Sequence, residues 1–181
     1  MQEISHVLLR LALSLFLIPI LTLLTSTQLA AQSMGEHAEM DRLEQQADDL
    51  EAQDDPEGAA LAIGKAAMMA ELLTQETPTS PAQTIFQAAS RLYRAQELGL
   101  RALALYQRTG GTPPAPAGVC QYLDQAGLKL EDSKGFLENM PVTSREEIKN
   151  SRNHLLQKNE EWQSLLQGLR EDLGCYATPN Q

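Results

Sequence analysis

The two cysteines are the residues of this 181-residue sequence whose chemistry is easiest to anticipate. Cys120 and Cys175 are its whole complement of cysteine, and in an oxidising compartment two thiols usually pair. A bridge between them closes a loop of 55 residues. On the chain-entropy model, closing such a loop stabilises a fold by about 4 kcal/mol. The alternative is two buried thiols that never meet. The sequence therefore favours a disulfide between Cys120 and Cys175.

The histidines and their acidic neighbours are the next candidates, as metal ligands or as acid–base groups. His37 lies beside Glu36 and Asp41, a composition shared by weak metal sites and by ordinary solvated helix starts. His154 has glutamates seven residues before and after it, which is typical of a surface salt cluster. The sequence contains no phosphate-binding glycine loop and no HExxH, CxxC or GxSxG motif. We therefore expect no catalytic residue, no metal site and no cofactor.

Four arginines share one face of a long predicted helix. Arg91, Arg94, Arg101 and Arg108 fall within about 100° of arc on a helical wheel. The acidic excess lies elsewhere, because residues 36–57 hold ten acids and one base. The arginine face and the acidic face of residues 36–57 pair with each other, within this chain or across to a partner, or both are simply solvated. A net charge of −10 argues against a nucleic-acid partner, which requires a basic surface.

The N-terminus has the pattern of a secretory signal peptide. A basic residue precedes an apolar run at residues 11–24, and small and polar residues follow it up to Ala31. The run is shorter than the ~20 residues that span a bilayer. We expect cleavage of residues 1–31, leaving residues 32–181 periplasmic or secreted without stable membrane insertion. The alternative is an uncleaved anchor formed by residues 7–24.

Helix-forming residues dominate the remaining chain, and valine occurs only three times in the sequence. We predict an all-α fold of about five antiparallel helices, either an irregular bundle or a short helical array with a C-terminal hairpin. Start signals are strong at Asp55 and Ser80, where a capping side chain precedes a proline. Thr143 or Ser144 is expected to cap the last helix. The predicted helices are residues 36–53, 55–75, 80–108, 118–139 and 144–174.

Two segments have distinctive compositions. Residues 59–73 of the second helix contain only two charged side chains, so this helix is expected to be surrounded by others. Residues 109–118 form an extended linker rich in proline and glycine. The linker separates predicted hairpins over residues 36–108 from a C-terminal hairpin over residues 118–175.

Apolar and small side chains recur at set positions in the first three helices. They are Leu43, Ala47, Leu50, Ala59, Ile63 and Ala66, then Phe86, Ser90, Tyr93, Ala102 and Tyr106, followed by Pro114. Over roughly residues 36–114 this pattern resembles the tetratricopeptide repeat, with units spaced more widely than that family's usual spacing of about 34 residues. The resemblance implies two helical hairpins and requires a turn at residues 97–99. An irregular bundle with the same inward residues is the alternative.

A compact turn at Pro141 would leave Cys120 opposite a point of the last helix well short of Cys175. A disulfide needs Cα atoms within about 7 Å of each other. We therefore predict that the fourth helix begins after Cys120 and that residues 115–120 run along the end of the fifth helix. The alternative is a bend in the fifth helix near Gly168.

These features favour an exported, non-enzymatic helical protein that binds another protein or a peptide. Paired helices form grooves that accept helices or extended segments. Tyr93, Arg94 and Arg101 are the predicted partner surface. The alternative is a binder of small hydrophobic ligands, with a cavity walled by the alanine-rich second helix.

Overall fold

The computed structural model describes residues 36–175, and this part of the chain contains five α-helices and no strand. The chain divides into two compact units, Met1–Glu39 and Met40–Gln181. Of the first unit only residues 36–39 are described, and they are helical. The predicted signal peptide and the alternative anchor lie outside the described residues. Within those residues, none of the helices combines the length and the apolar character needed to cross a membrane. The all-α prediction is confirmed.

The first three helices begin and end close to their predicted positions. Helix α1 covers residues 36–52, α2 covers Pro56–Glu76 and α3 covers Pro81–Arg108. The Asp55 carboxylate accepts a hydrogen bond of 2.9 Å from the backbone N–H three residues later, and the Ser80 hydroxyl does the same at 3.4 Å. Both caps are local interactions that satisfy unpaired N–H groups of a first helical turn. The buried side of α1 consists of Met40, Leu43 and Ala47.

The turn expected at residues 97–99 is wrong, because α3 runs through this segment as one continuous helix. Gly99 has a packing role instead. A Cβ atom at Gly99 would lie 2.9 Å from the Trp162 ring and 3.2 Å from a methyl group of Leu166, so glycine lets the last helix approach closely. The second predicted hairpin is therefore absent from residues 81–108. The tetratricopeptide resemblance itself stays a prediction.

Helix α3 is the centre of the fold, with α2, α4 (Ala117–Glu138) and α5 (Glu146–Asp172) packed against it. A buried polar chain links three of these helices. The Ser133 hydroxyl of α4 donates to the carbonyl of Ala88 at 2.8 Å, and the Asn159 amide of α5 donates to the Ser133 oxygen at 3.0 Å. Buried polar groups with partners of this kind stabilise one helix arrangement over others.

The C-terminal hairpin consists of α4, Ala117–Glu138, and α5, Glu146–Asp172. The predicted disulfide is formed, with the Cα atoms of Cys120 and Cys175 at 5.4 Å. The expectation that α4 begins after Cys120 is wrong, because the helix starts three residues before it. Cys175 instead follows the end of α5.

The connection between α4 and α5 explains how the cysteines meet. Residues 139–145 are not helical, so the two helices do not join through a compact turn. Arg170 donates to the Leu123 carbonyl at 3.0 Å, and at this register Cys120 falls close to the C-terminal end of α5. The backbone N–H of Ala115 donates to the Leu173 carbonyl at 2.8 Å. The prediction that the linker lies against the end of α5 is therefore confirmed at Ala115.

Two further predictions are corrected by the structure. Helix α5 starts without a side-chain cap, and the Thr143 hydroxyl accepts from the backbone N–H of Arg145 at 3.2 Å, one residue before the helix. Helix α2 is not surrounded by other helices. Leu61, Met68 and Leu72 are each more than half exposed, because α3 covers only the alanine-rich side of α2.

Candidate functional site

The three residues predicted to form a partner surface do not share one. Tyr93 is only 5% exposed, and its hydroxyl donates to the Glu44 carboxylate of α1 at 3.2 Å. Burial, and then the nearby carboxylate of Glu44, raise the pKa of Tyr93 well above its usual value. Arg94 and Arg101 lie on the outer side of α3 instead. Tyr93 is therefore a core residue, and only the two arginines remain surface candidates.

Glu97 holds Arg94 and Arg101 together on that outer side. Arg94 Nη1 donates to one Glu97 oxygen at 2.8 Å, and Arg101 Nη2 donates to the other at 2.7 Å. The three side chains meet because residues three and four apart share one face of a helix. Glu97 is buried where α2 approaches at Gly64, whose added Cβ would lie 3.1 Å from the Glu97 carboxyl carbon.

Glu71 of α2 completes this cluster. Arg94 Nε and Nη2 donate to its two oxygens at 2.9 and 3.0 Å, a bidentate pair. The hydrogen bond from Arg94 holds the pKa of Glu71 below its usual value against the effect of burial, and the charges of Arg94, Arg91 and Lys129 act in the same direction. Glu71 also raises the pKa of Arg94. The guanidinium of Arg94 is therefore held in a set orientation.

Two neighbouring cavities lie along α3 beside this cluster. The larger, of about 420 Å³, lies next to Arg94, and the smaller, of about 130 Å³, lies next to Arg108. Arg101 and Tyr122 line both of them, so the two cavities are neighbours on the surface of α3. We call the two cavities together the α3 groove. Side chains of α3 make its floor, namely Arg91, Arg94, Glu97, Leu98, Arg101, Ala104, Leu105 and Arg108.

The neighbouring helices supply the two walls of the α3 groove. The α2 wall carries Glu57, Leu61 and Glu71, and the α4 wall carries Tyr122, Gln125 and Lys129. From Arg91 to Arg108 the floor extends about 25 Å at the rise of an α-helix. The groove is therefore long and open, with charged and apolar side chains side by side.

The charge of the α3 groove is opposite in sign to that of the chain. Five cations and three carboxylates line it, whereas the chain as a whole carries −10. The ion pair of Arg108 with Glu57, at 3.2 Å, is exposed on both sides and contributes little to stability. One acid of α1, Glu44, pairs with Lys158 of α5 at 3.2 Å instead.

The arginines of the groove were singled out from the sequence, but Glu97, Tyr122 and Lys129, which lie around them, were not. Glu97 was detectable, because it stands three residues after Arg94 and four before Arg101. No local signal marks Tyr122 or Lys129, which reach the groove only because α4 packs beside α3.

The described residues offer no arrangement for metal chemistry. Within residues 36–175, no group of three or more His, Cys, Asp or Glu side chains is placed to hold a metal ion. His154 is exposed on α5. The chemistry that the α3 groove does offer is noncovalent, with guanidinium donors for carboxylates beside leucine side chains for apolar groups.

Comparison with known proteins finds no relative of this chain. No family model matches it, and no curated protein or solved structure matches it either.

Proposed function

We propose that this protein is an exported, non-enzymatic binder of another protein, and that it holds a peptide segment of this partner in the α3 groove. The observation that carries the proposal is a groove about 25 Å long whose floor carries four arginines and two leucines. Grooves between helices recognise partner segments by apolar anchors, while charges set orientation and specificity. The disulfide fits a protein that matures in an oxidising compartment.

The state of the floor side chains supports this assignment. Leu98 and Leu105 are partly buried, so each offers apolar surface that a ligand side chain covers. Arg94 and Arg101 are held by carboxylates before any ligand arrives. Such preorganisation lowers the entropy lost on binding. The alternative ligand, a small hydrophobic molecule against α2, lacks this support, because the alanine-rich side of α2 packs on α3.

A peptide-library selection tests the groove assignment. The exported protein is the bait, and the enriched peptides are titrated by fluorescence anisotropy against three forms: wild type, a variant with both Leu98→Ala and Leu105→Ala, and Val142→Asp. Val142 is fully exposed in the α4–α5 connection, away from the groove, and serves as the control. We expect at least about a tenfold loss of affinity in the double-alanine variant, since each anchor is worth about 1 kcal/mol or more.

The control variant should bind like wild type. Enriched peptides that bind the double-alanine variant as tightly as wild type would place the binding site elsewhere and contradict the proposal. Thermal melting of each variant separates lost binding from lost folding.

A further inference from the structure

The side chains of the groove floor repeat every seven residues. Arg94, Arg101 and Arg108 are spaced by seven, and Leu98 and Leu105 lie between them at the same interval. Seven residues are close to two full turns of an α-helix, so such a stripe runs almost straight along α3. A second helix that lies alongside presents its own side chains at the same interval.

An extended segment does not match this repeat. Seven residues of a helix rise about 10.5 Å, which an extended strand covers in about three residues. Successive strand residues point to opposite faces, so side chains three apart alternate between facing the floor and facing away. A helical ligand returns to the same face at every repeat. The floor therefore favours a helix over a strand.

The charge of the groove favours an acidic ligand. Lys129 lies beside Arg91 at one end of the groove, and it meets its nearest acid, Asp132, only at 3.9 Å. Arg108 lies at the other end, in an ion pair that is open to solvent. These groups can take carboxylates of a ligand, whereas a basic ligand would bring like charge to an already positive groove.

We propose, resting on the groove function above, that the ligand is an acidic amphipathic helix of the partner protein. Its apolar side chains lie against the two floor leucines. Carboxylates spaced by seven residues pair with the exposed arginines Arg101 and Arg108, and a further carboxylate pairs with Arg91 and Lys129 at the other end of the groove. A helix of about 17 residues covers the floor. The acidic remainder of this protein's surface repels the same ligand and thereby restricts it to the groove.

Three synthetic peptides of about 20 residues test the proposal. The first is helical, with leucines to match the floor and glutamates at a seven-residue spacing. The second replaces these glutamates with lysine, and the third keeps them but carries two central prolines that prevent a helix. We expect the acidic helix to bind at least about tenfold more tightly than either of the others. Its affinity should fall as sodium chloride is raised from about 0.05 to 0.5 M, because salt screens exposed charges.

Matched protein variants locate the charge effect. Replacing Arg91 and Lys129 with glutamine should weaken binding of the acidic helix about threefold to tenfold. Replacing Lys134 and Lys149 with glutamine changes the net charge equally, but neither residue lines the groove, so affinity should stay close to wild type.

The possible failures are distinguishable. If the basic or the proline-containing peptide binds as tightly as the acidic helix, and binding needs the floor leucines, the acidic-helix proposal is wrong and the groove proposal stands. The same holds if none of the three binds while library selection yields groove ligands. If the acidic helix binds regardless of the leucine and the cation variants, its site is elsewhere and both proposals fall.

Discussion

Two charged clusters in this protein use the same kinds of side chain but have different surroundings. In the first, Arg94 and Arg101 flank Glu97 beside an open groove, with 30% and 47% of their side chains exposed. In the second, Lys158 and Glu44 lie between α5 and α1, with only 23% and 14% exposed. An ion pair that faces a groove can exchange partners with a ligand, whereas one enclosed by helices mainly fastens them together.

Carboxyl groups in and near the two clusters also respond differently to their surroundings. Hydrogen bonding to Arg94 lowers the pKa of Glu71 in the groove cluster. On α1 near Lys158, burial raises the pKa of Asp48 and of Glu51, and the lysine only partly opposes it. Partial loss of hydration is therefore the main effect on these two α1 carboxyl groups, and a specific hydrogen bond is the main effect on Glu71.

The largest expected effect comes from removing the aromatic ring of the enclosed cluster. Tyr93→Ala should lower the free energy of unfolding by about 3 to 5 kcal/mol, because it leaves a cavity among α1, α3 and their neighbours. Urea denaturation measures the loss. Tyr122→Ala removes a partly buried ring from the groove wall and should cost clearly less stability while weakening peptide binding. Equal stability losses at the two sites would contradict the comparison.

Loss of the disulfide should rank second. The double variant Cys120→Ser, Cys175→Ser is expected to lose about 2 to 4 kcal/mol, through greater freedom of the unfolded chain. Helix α4 begins beside Cys120 and carries Tyr122, so amide exchange should accelerate first at the groove wall. Amides around Tyr93 should still exchange only through global unfolding of the protein. If amide exchange accelerated equally throughout the chain, the disulfide would stabilise the whole fold and have no separate effect on the groove wall.

A smaller loss is expected from the acid at the centre of the groove cluster. Glu97→Gln should lower the free energy of unfolding by about 1 to 2 kcal/mol, since three hydrogen bonds from guanidinium groups weaken. Glu57→Gln breaks the exposed pair with Arg108 and should cost less than about 0.5 kcal/mol. Thermal melting of both variants at one pH provides the measurement. Equal stability losses in the two variants would mean that the burial of Glu97 does not strengthen its ion pairs.

The smallest expected effect is a difference in the pH dependence of stability, below about 1 kcal/mol at these partly exposed sites. Glu71 has a lowered pKa in the fold, so its stabilising contribution is present above its usual pKa of 4.5 and is lost as the pH falls through the folded value. Glu51 has a raised pKa, so its protonation stabilises the fold on acidification, and this gain disappears as the pH rises above the folded value.

Melting temperatures between about pH 3 and 6 report both effects. Relative to wild type, Glu71→Gln should lose less stability on acidification, and Glu51→Gln should lose more. Parallel profiles for the two variants would contradict the opposite signs of the two pKa shifts.

Several features of the fold were readable from the sequence because they depend on neighbours along the chain. Asp55 and Ser80 cap their helices through N–H groups three residues away, and both helix starts were predicted. The Thr143 or Ser144 cap failed, because the connection before α5 continues to Arg145 and Thr143 bonds outside the helix. The repeat resemblance requires a turn at residues 97–99, but Gly99 lies inside a continuous helix, because glycine also serves where another helix approaches closely.

By itself the sequence determined the all-α class, the pairing of Cys120 with Cys175 and the arginine stripe of α3, because composition, count and helical periodicity are properties of a single chain segment. Only the tertiary structure decided that Tyr93 turns inward, that Glu71 meets Arg94, and that α4 supplies a second wall. The physical reason is that a groove is the space that three packed helices leave between them. Its existence depends on packing angles and register, which contacts distant in sequence set.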